Sequence, residues 1–307
     1  MHGAGPTVQF HSMLGIGDCL HQRAILRTAK EQGQRVCLHS HYSAMYHDLI
    51  ADGVKVWPFP VKHMLSRIEE RESYFSPGPV ANGSADRLTY SPDMIRAKGS
   101  ILAAMYHVAG LKMPARPDFS LPVLPKWRQW ARAKLGPTNG KPLMVYRPIV
   151  LNDVWNAPAR SPDPDAYQAL FKLVRDRFHV ISVADLTEKN GKKEWIVGGE
   201  EDADTKFHHG ELCFEELVGL FAEAALVFGN PGFSPVLAQA VGTSSIVVYG
   251  GNESFRTTNS VGAHLAPTLP IEPINPCECH ARTHACDKRI NMPAATEKVM
   301  AFAERFA

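Results

Sequence analysis

Apolar positions in the first sixty residues come in short alternating blocks. Residues 7–10 form a brief apolar run that ends in a glycine-bearing turn, 11–17. Residues 19–32 carry Leu20, Ala24, Ile25 and Leu26 on one helical face, with Asp18 ahead as N-cap and Gly33 closing the far end. Residues 35–38 read as a second strand, 43–51 as a helix with Gly53 behind it, and 54–57 as a third strand. This order begins a doubly wound parallel sheet.

The middle of the chain is less regular. Residues 74–91 are rich in Ser, Pro and Gly and read as a loop, while 101–109 and 127–135 have helical character. Gly136-Pro137-Thr138-Asn139-Gly140 is the clearest break, and it separates a unit at 1–138 from one at 139–307. Beyond it the alternation resumes. Strands are predicted at 143–146, 180–183, 226–228 and 245–249, and helices at 162–178, 214–224, 234–241 and 294–306. No repeat of solenoid period is present. The pattern predicts an α/β protein of two Rossmann-like domains facing across a cleft, which is the natural place for a site.

Composition narrows the class. The 307 residues are 45% hydrophobic and 21% charged, which excludes a disordered chain, a collagen and a coiled coil. No apolar run reaches the ~18 residues of a membrane span. The opening residues lack the basic-then-apolar order of a signal peptide, so a cytoplasmic protein is expected. The net charge of +2 hides an asymmetry. Residues 1–150 hold 19 Lys and Arg against 10 Asp and Glu, and the remainder holds 14 against 21. A basic half favours an anionic partner, such as a phosphorylated glycan, nucleic acid or an acidic membrane surface. Residues 126–134, basic with Trp127 and Trp130, fit a nucleic-acid or membrane contact or, better, a packed helix with its tryptophans one turn apart.

Three glycine turns follow predicted strands. The first is Gly15-Ile16-Gly17-Asp18. Leu20 stands where a dinucleotide fingerprint needs its third glycine, which argues against NAD. Asp18 stands at the carboxyl end of strand one, facing the crevice where α/β sheets bind ligands. The second turn is Gly229-Asn230-Pro231-Gly232-Phe233-Ser234, opening a helix whose N-terminus suits a diphosphate. The third runs through Gly250 and Gly251 after another strand.

These residues resemble a known family. Gly17-Asp18-Cys19-Leu20-His21 is similar to the G-D-x-L-H of the lipopolysaccharide heptosyltransferases, glycosyltransferase family 9. Residues 228–234 resemble that family's V-G-x-D-T-G-L-S-H turn, and the stretch from Ala238 to Gly250 its A-A-x-G-x-P-x-x-x-L-[FY]-G segment. The resemblance implies the GT-B architecture, with the acceptor in the first domain and a nucleotide-sugar donor in the second. It implies inverting transfer without a metal in the chemistry. It makes Asp18 the general base, with His21 one turn on as the next candidate. It also makes Gly15, Gly17, Asn230, Pro231, Gly232, Phe233, Ser234 and Gly250 part of the binding turns. Arg160 stands where the family has a Lys ahead of Trp-Pro and would neutralise donor phosphate, and Glu188 would bind ribose. The family's acidic residue in the donor turn is Asn230 here, its Thr is Pro231 and its His is Pro235, so an ADP-heptose donor does not follow. The expected acceptor is an anionic glycan or glycolipid, with a modified base in DNA as runner-up and peripheral membrane contact compatible with either. The alternatives are a nucleotide-sugar epimerase of the same architecture and a degenerate nucleotide-binding protein.

Cys277, Cys279, His284 and Cys286 lie within ten residues and can supply four ligands to a structural zinc. The C-x-C spacing is tighter than usual, and a redox-labile loop and a disulfide stay open as alternatives.

Overall fold

The computed structural model describes residues 6–59, 68–78, 85–153, 156–189, 191–198 and 202–307. The expected loop at 74–91 falls partly outside them. Two parallel sheets organise the chain. The first is built from β1 (Thr7–His11), β2 (Arg35–Ser40), β3 (Lys55–Pro58) and β4 (Asp86–Arg87), in the order β3-β2-β1-β4. Helix α1 (Ile16–Glu31) crosses from β1 to β2. A 3-10 turn at Ala44–Tyr46 runs into α2 (His47–Ala51) on the way to β3. Helices α3 (Pro92–Lys98), α4 (Ile101–Val108) and α5 (Pro125–Lys134) follow.

The second part contains β5 (Leu143–Tyr146), β6 (Val150–Asn152), α6 (Pro164–Arg175), β7 (His179–Val183), β8 (Glu194–Ile196) and β9 (Thr205–Phe207). It continues with α7 (Phe214–Glu223), β10 (Leu226–Gly229), α8 (Phe233–Val241), β11 (Ser245–Val248), β12 (Thr268–Ile271) and α9 (Met292–Ala303). Its parallel sheet has the order β12-β11-β10-β5-β7-β9, and β6 pairs antiparallel with β8 in a separate ribbon. The order reverses between β10 and β5, so the loops after these two strands open a crevice between them.

Helix α1 begins at Ile16, two residues before the expected cap. Gly15 takes the N-cap position, and Asp18 sits in the first turn instead. There a carboxylate still faces the positive end of the helix dipole. The start was hidden because neither Ile16 nor Gly17 is a helix signal.

The two sheets share one apolar core. Helix α1 packs on α8, and Leu20, Ala24, Val236 and Leu237 lie in a single buried cluster. A second cluster fills the other face of the larger sheet, where Tyr146, Phe171 and Phe228 meet Val299 of α9.

Helix α5 lies flat on α7. A β-carbon on Gly219 would overlap the Trp127 carbonyl, so the approach depends on this glycine. Trp127 is fully buried, and the Arg71 guanidinium stacks over Trp130 at 4.2 Å. Arg128 and Arg132 both reach Glu223, at 2.8 and 2.5 Å, and Lys126 pairs with Glu72. The basic, tryptophan-bearing segment is therefore a packing helix. Part of the charge asymmetry is neutralised inside the molecule, basic α5 against acidic α7. Among the described residues no helix is long and apolar enough to cross a membrane.

Candidate active site

The first turns of α1 and α8 converge. Gly17 lies so close to α8 that a β-carbon there would stand 3.3 Å from the Phe233 Cα. Neither helix has a side-chain cap: Gly15 and Gly232 occupy the two N-cap positions, and Gly232 has φ 149°, a value that favours glycine. Two positive helix ends thus face one cavity of about 1330 Å³ between the sheets. Gly15, Gly17, Asp18, His21, Arg160 and residues 230–234 all line it.

Asp18 is the titratable centre of this cavity. Burial raises its pKa from 3.8 to about 6, and the nearby Glu253 adds to the rise. The Tyr90 hydroxyl, donating to Oδ1 at 3.1 Å, and the Arg160 charge act in the opposite direction. A carboxylate poised near neutrality, with one oxygen oriented by a tyrosine, can accept a proton at physiological pH. His21 is buried edge-on against Phe119, with ring centroids 5.0 Å apart. Burial lowers its pKa to about 4, which keeps it neutral.

Arg160 forms an ion pair with the buried Glu253 at 3.0 Å. The turn after β11 holds it in place. A β-carbon on Gly250 would overlap the carbonyl oxygens of Arg160 and Ser161, so Gly250 serves backbone packing behind Arg160 and does not itself line the cavity. Asn230 stays neutral and uses its amide to bind the carbonyls of Arg147 and Pro148, tying the loop after β10 to the loop after β5. Pro231 is buried beneath this turn. The Ser234 hydroxyl, also buried, finds no hydrogen-bond partner among the described residues.

Glu188 is exposed and does not itself line the cavity, although Thr187 and Lys189 on either side of it do. The acidic group at that edge is Asp185, just past the end of β7, held by Lys189 at 3.0 Å. Its sequence signal is an acidic residue directly behind the strand Val-Ile-Ser-Val-Ala. Arg147, directly after β5, was also missed. It donates to the Val183 carbonyl at 2.8 Å and lies over the Phe233 ring at 5.1 Å. Its signal is a cation at the carboxyl end of a predicted strand, in the loop that flanks the crevice. Arg87, at the end of β4, adds an exposed cation from the first sheet.

The Cys/His cluster folds against the turn after β11. All six cysteines are free thiols. Ligand atoms of Cys277, Cys279, His284 and Cys286 lie within 4.8 Å of one another. The Sγ of Cys286 is 3.2 Å from that of Cys277 and 3.7 Å from that of Cys279, and the His284 Nδ1 lies 3.4 Å from it. Donors around a tetrahedral zinc sit about 3.8 Å apart, given Zn–S bonds of about 2.3 Å. The four groups therefore fit such an ion, whereas a single disulfide would leave a thiol and the imidazole without a role. In this tight C-x-C segment Glu278 and His280 both adopt left-handed backbone, φ 50° and 53°.

No protein-family model matches the chain, and no curated protein matches it significantly. Solved structures do. Escherichia coli ADP-heptose lipopolysaccharide heptosyltransferase II aligns over 97% of this chain and 99% of its own, with a TM-score of 0.57 at 12% identity. The iron-containing dodecameric glycosyltransferase TibC of enterotoxigenic E. coli H10407 aligns over 98% and 76%, at 0.60 and 12%. A family 9 glycosyltransferase of Veillonella parvula DSM 2008 aligns over 98% and 97%, at 0.57 and 9%. Over nearly its whole length the chain has the fold of these glycosyltransferases.

Proposed function

We propose that this protein is a glycosyltransferase that moves a sugar from a nucleotide-sugar donor to an acceptor hydroxyl by direct, inverting displacement. Residues 1–138 would form the acceptor unit and residues 139–307 the donor unit. The observation that carries the reading is the Asp18 carboxylate, oriented by Tyr90 and raised to about 6, in a cavity ringed by two uncapped helix N-termini and Arg160.

In this mechanism Asp18 takes the proton of the acceptor hydroxyl. The hydroxyl oxygen bonds to the anomeric carbon as the bond from that carbon to the diphosphate oxygen breaks. The leaving nucleoside diphosphate keeps the electron pair. Its charge is met by Arg160 and by the free N–H groups at the start of α8. The Ser234 hydroxyl, buried without a partner, is a further donor at that turn. The displacement uses only these groups of the chain, and the Cys/His cluster takes a structural zinc. Arg87 and the basic first half support an anionic acceptor, a glycan or glycolipid. DNA, the runner-up that the same basic half suggested, is less favoured because the α5 charges are paired within the molecule.

The test is calorimetric binding of ADP, UDP and GDP, followed by turnover of the matching nucleotide sugars with and without a phosphorylated glycolipid acceptor. Acceptor-dependent release of the diphosphate supports transfer. Donor conversion without acceptor would indicate an epimerase, and tight binding without turnover a degenerate binder.

A further inference from the structure

We propose that the metal knuckle at Cys277, Cys279, His284 and Cys286 builds one wall of the donor cavity, so that nucleoside diphosphate binding depends on metal at a distance from the chemistry. This rests on the reading of the cavity as a donor site.

The loop between β12 and α9 carries the knuckle. Residues 272–291 contain no helix or strand, and most side chains from Ile274 to Cys286 are exposed or half-buried. A structureless stretch of this length in a compact fold needs a reason to be ordered. Left-handed backbone at the non-glycine residues Glu278 and His280 makes that need greater, since non-glycine residues hold it only where their surroundings enforce it. Little apolar burial is available to do so. A metal bound by four side chains is a sufficient constraint, because its binding energy appears directly as folding energy.

The residues enclosed by the ligands explain the consequence. His280, Ala281 and Arg282 stand between Cys279 and His284, and all three line the cavity. The His280 Nε2 is buried and finds no hydrogen-bond partner among the described residues. Backbone bonds lock this segment onto the donor side. Cys277 and Glu278 donate to the Gly251 carbonyl at 2.9 and 3.0 Å, and His280 donates to Asn252 at 2.9 Å. The Asn252 side chain returns a bond to the Ala281 carbonyl at 3.0 Å. Ala159, next to Arg160, donates to the Arg282 carbonyl at 3.3 Å. The knuckle also touches the other half of the molecule, where Arg96 of α3 donates to the Cys279 carbonyl at 3.1 Å. Loss of the metal would release the segment that supports Arg160 and presents His280, while both apolar cores stay intact.

The experiment compares zinc-loaded protein, the same protein after chelation under reducing conditions, and the variants Cys286→Ser and His280→Ala. Backbone amide exchange and calorimetric affinity for ADP, UDP and GDP are measured on each. In the metal-free forms, amides at Ala159, Cys277, Glu278 and His280 should lose protection while those of β5, β7 and β10 keep it. Diphosphate affinity should fall about tenfold or more and return on adding zinc. His280→Ala should keep its zinc and its protected amides yet still bind diphosphate more weakly, which separates a cavity contact from a folding defect. Unchanged amide protection and unchanged affinity after complete metal removal would overturn the inference. If zinc controls amide protection but no form binds any of the three diphosphates, the ordered wall stands and the donor-site reading falls.

Discussion

The Tyr90 hydroxyl donates to Oδ1 of Asp18 at 3.1 Å, across 72 residues of chain. Tyr90 follows β4, so the short fourth strand is what brings the tyrosine to the first turn of α1. This bond stabilises the ionised carboxylate against the burial that raises its pKa. Transfer should therefore show an acidic limb near pH 6. Tyr90→Phe should move that limb upward, because it removes a group that lowers the Asp18 pKa. The pH dependence of kcat/KM for the two proteins checks this. A limb that stays in place would separate Tyr90 from the base.

Burying Asp18 has a stability consequence of definite sign. Its pKa is higher in the folded chain, about 6 against 3.8, so the folded state binds the proton more tightly than the unfolded one. Wild-type stability should fall as pH rises from about 4 to about 6 through this group. The penalty should be fully present above that range, at about 3 kcal/mol as an upper value. Asp18→Asn should accordingly be more stable than wild type at pH 7.5 and about equal to it near pH 3.5. Urea unfolding at both pH values measures the difference.

Gly250→Ala should reach the donor site without touching the ligand. The added β-carbon overlaps the carbonyls of Arg160 and Ser161, and backbone must move to admit it. Overpacking of this kind typically costs about 1–3 kcal/mol. Both thermal stability and diphosphate affinity should drop, the second through displacement of Arg160. Calorimetry of the variant follows both.

An anionic acceptor should be read by Arg87 and not by α5. Arg87 is an exposed cation on the cavity wall, whereas Arg132 is engaged by Glu223 at 2.5 Å. Arg87→Gln should weaken acceptor binding and flatten its dependence on salt. Arg132→Gln should leave both nearly unchanged. Affinity for a phosphorylated glycolipid core at several salt concentrations distinguishes the two.

Elemental analysis of purified protein should find about one metal per chain, lost in Cys277→Ser. It also identifies the ion. The tetrahedral thiol and imidazole set points to zinc, and iron in its place would correct that assignment.

Much of this arrangement was legible in the sequence because strand-turn-helix units carry their own punctuation. Leu143–Tyr146, the helix opening at Phe214 and the turn at Asn230 to Ser234 stand where their apolar spacing and glycines put them. What escaped was non-local. Asp18 lies inside its helix because Gly15 takes the cap without a side-chain hydrogen bond, and Gly17 after it is a site of close contact with α8 that carries no helix-start signal. Arg147 matters because β5, the strand it follows, stands at the reversal of the sheet, and Asp185 because β7, the strand it follows, lies beside β5, neither of which one segment read alone reveals. Helix α3 did have signals: Ser91 as N-cap, Pro92 in the first turn and Gly99 at the end. Only Ser91 falls in the stretch 74–91 that reads as loop, and the seven-residue helix beyond it is too short to show a clear apolar period. The C-x-C knuckle contains left-handed Glu278 and His280, for which side-chain identity gives no cue.

The central claim is that Asp18 accepts the acceptor proton, and the most direct measurement is the transfer rate of Asp18→Asn beside its diphosphate affinity and melting temperature. Asparagine keeps the size and cannot take the proton. The rate should fall about 10²–10⁴-fold, the usual contribution of general-base catalysis, while affinity holds and melting temperature at pH 7.5 does not decrease. A variant that transfers at the wild-type rate would contradict the account and leave His21, one turn further along α1, as the group to test.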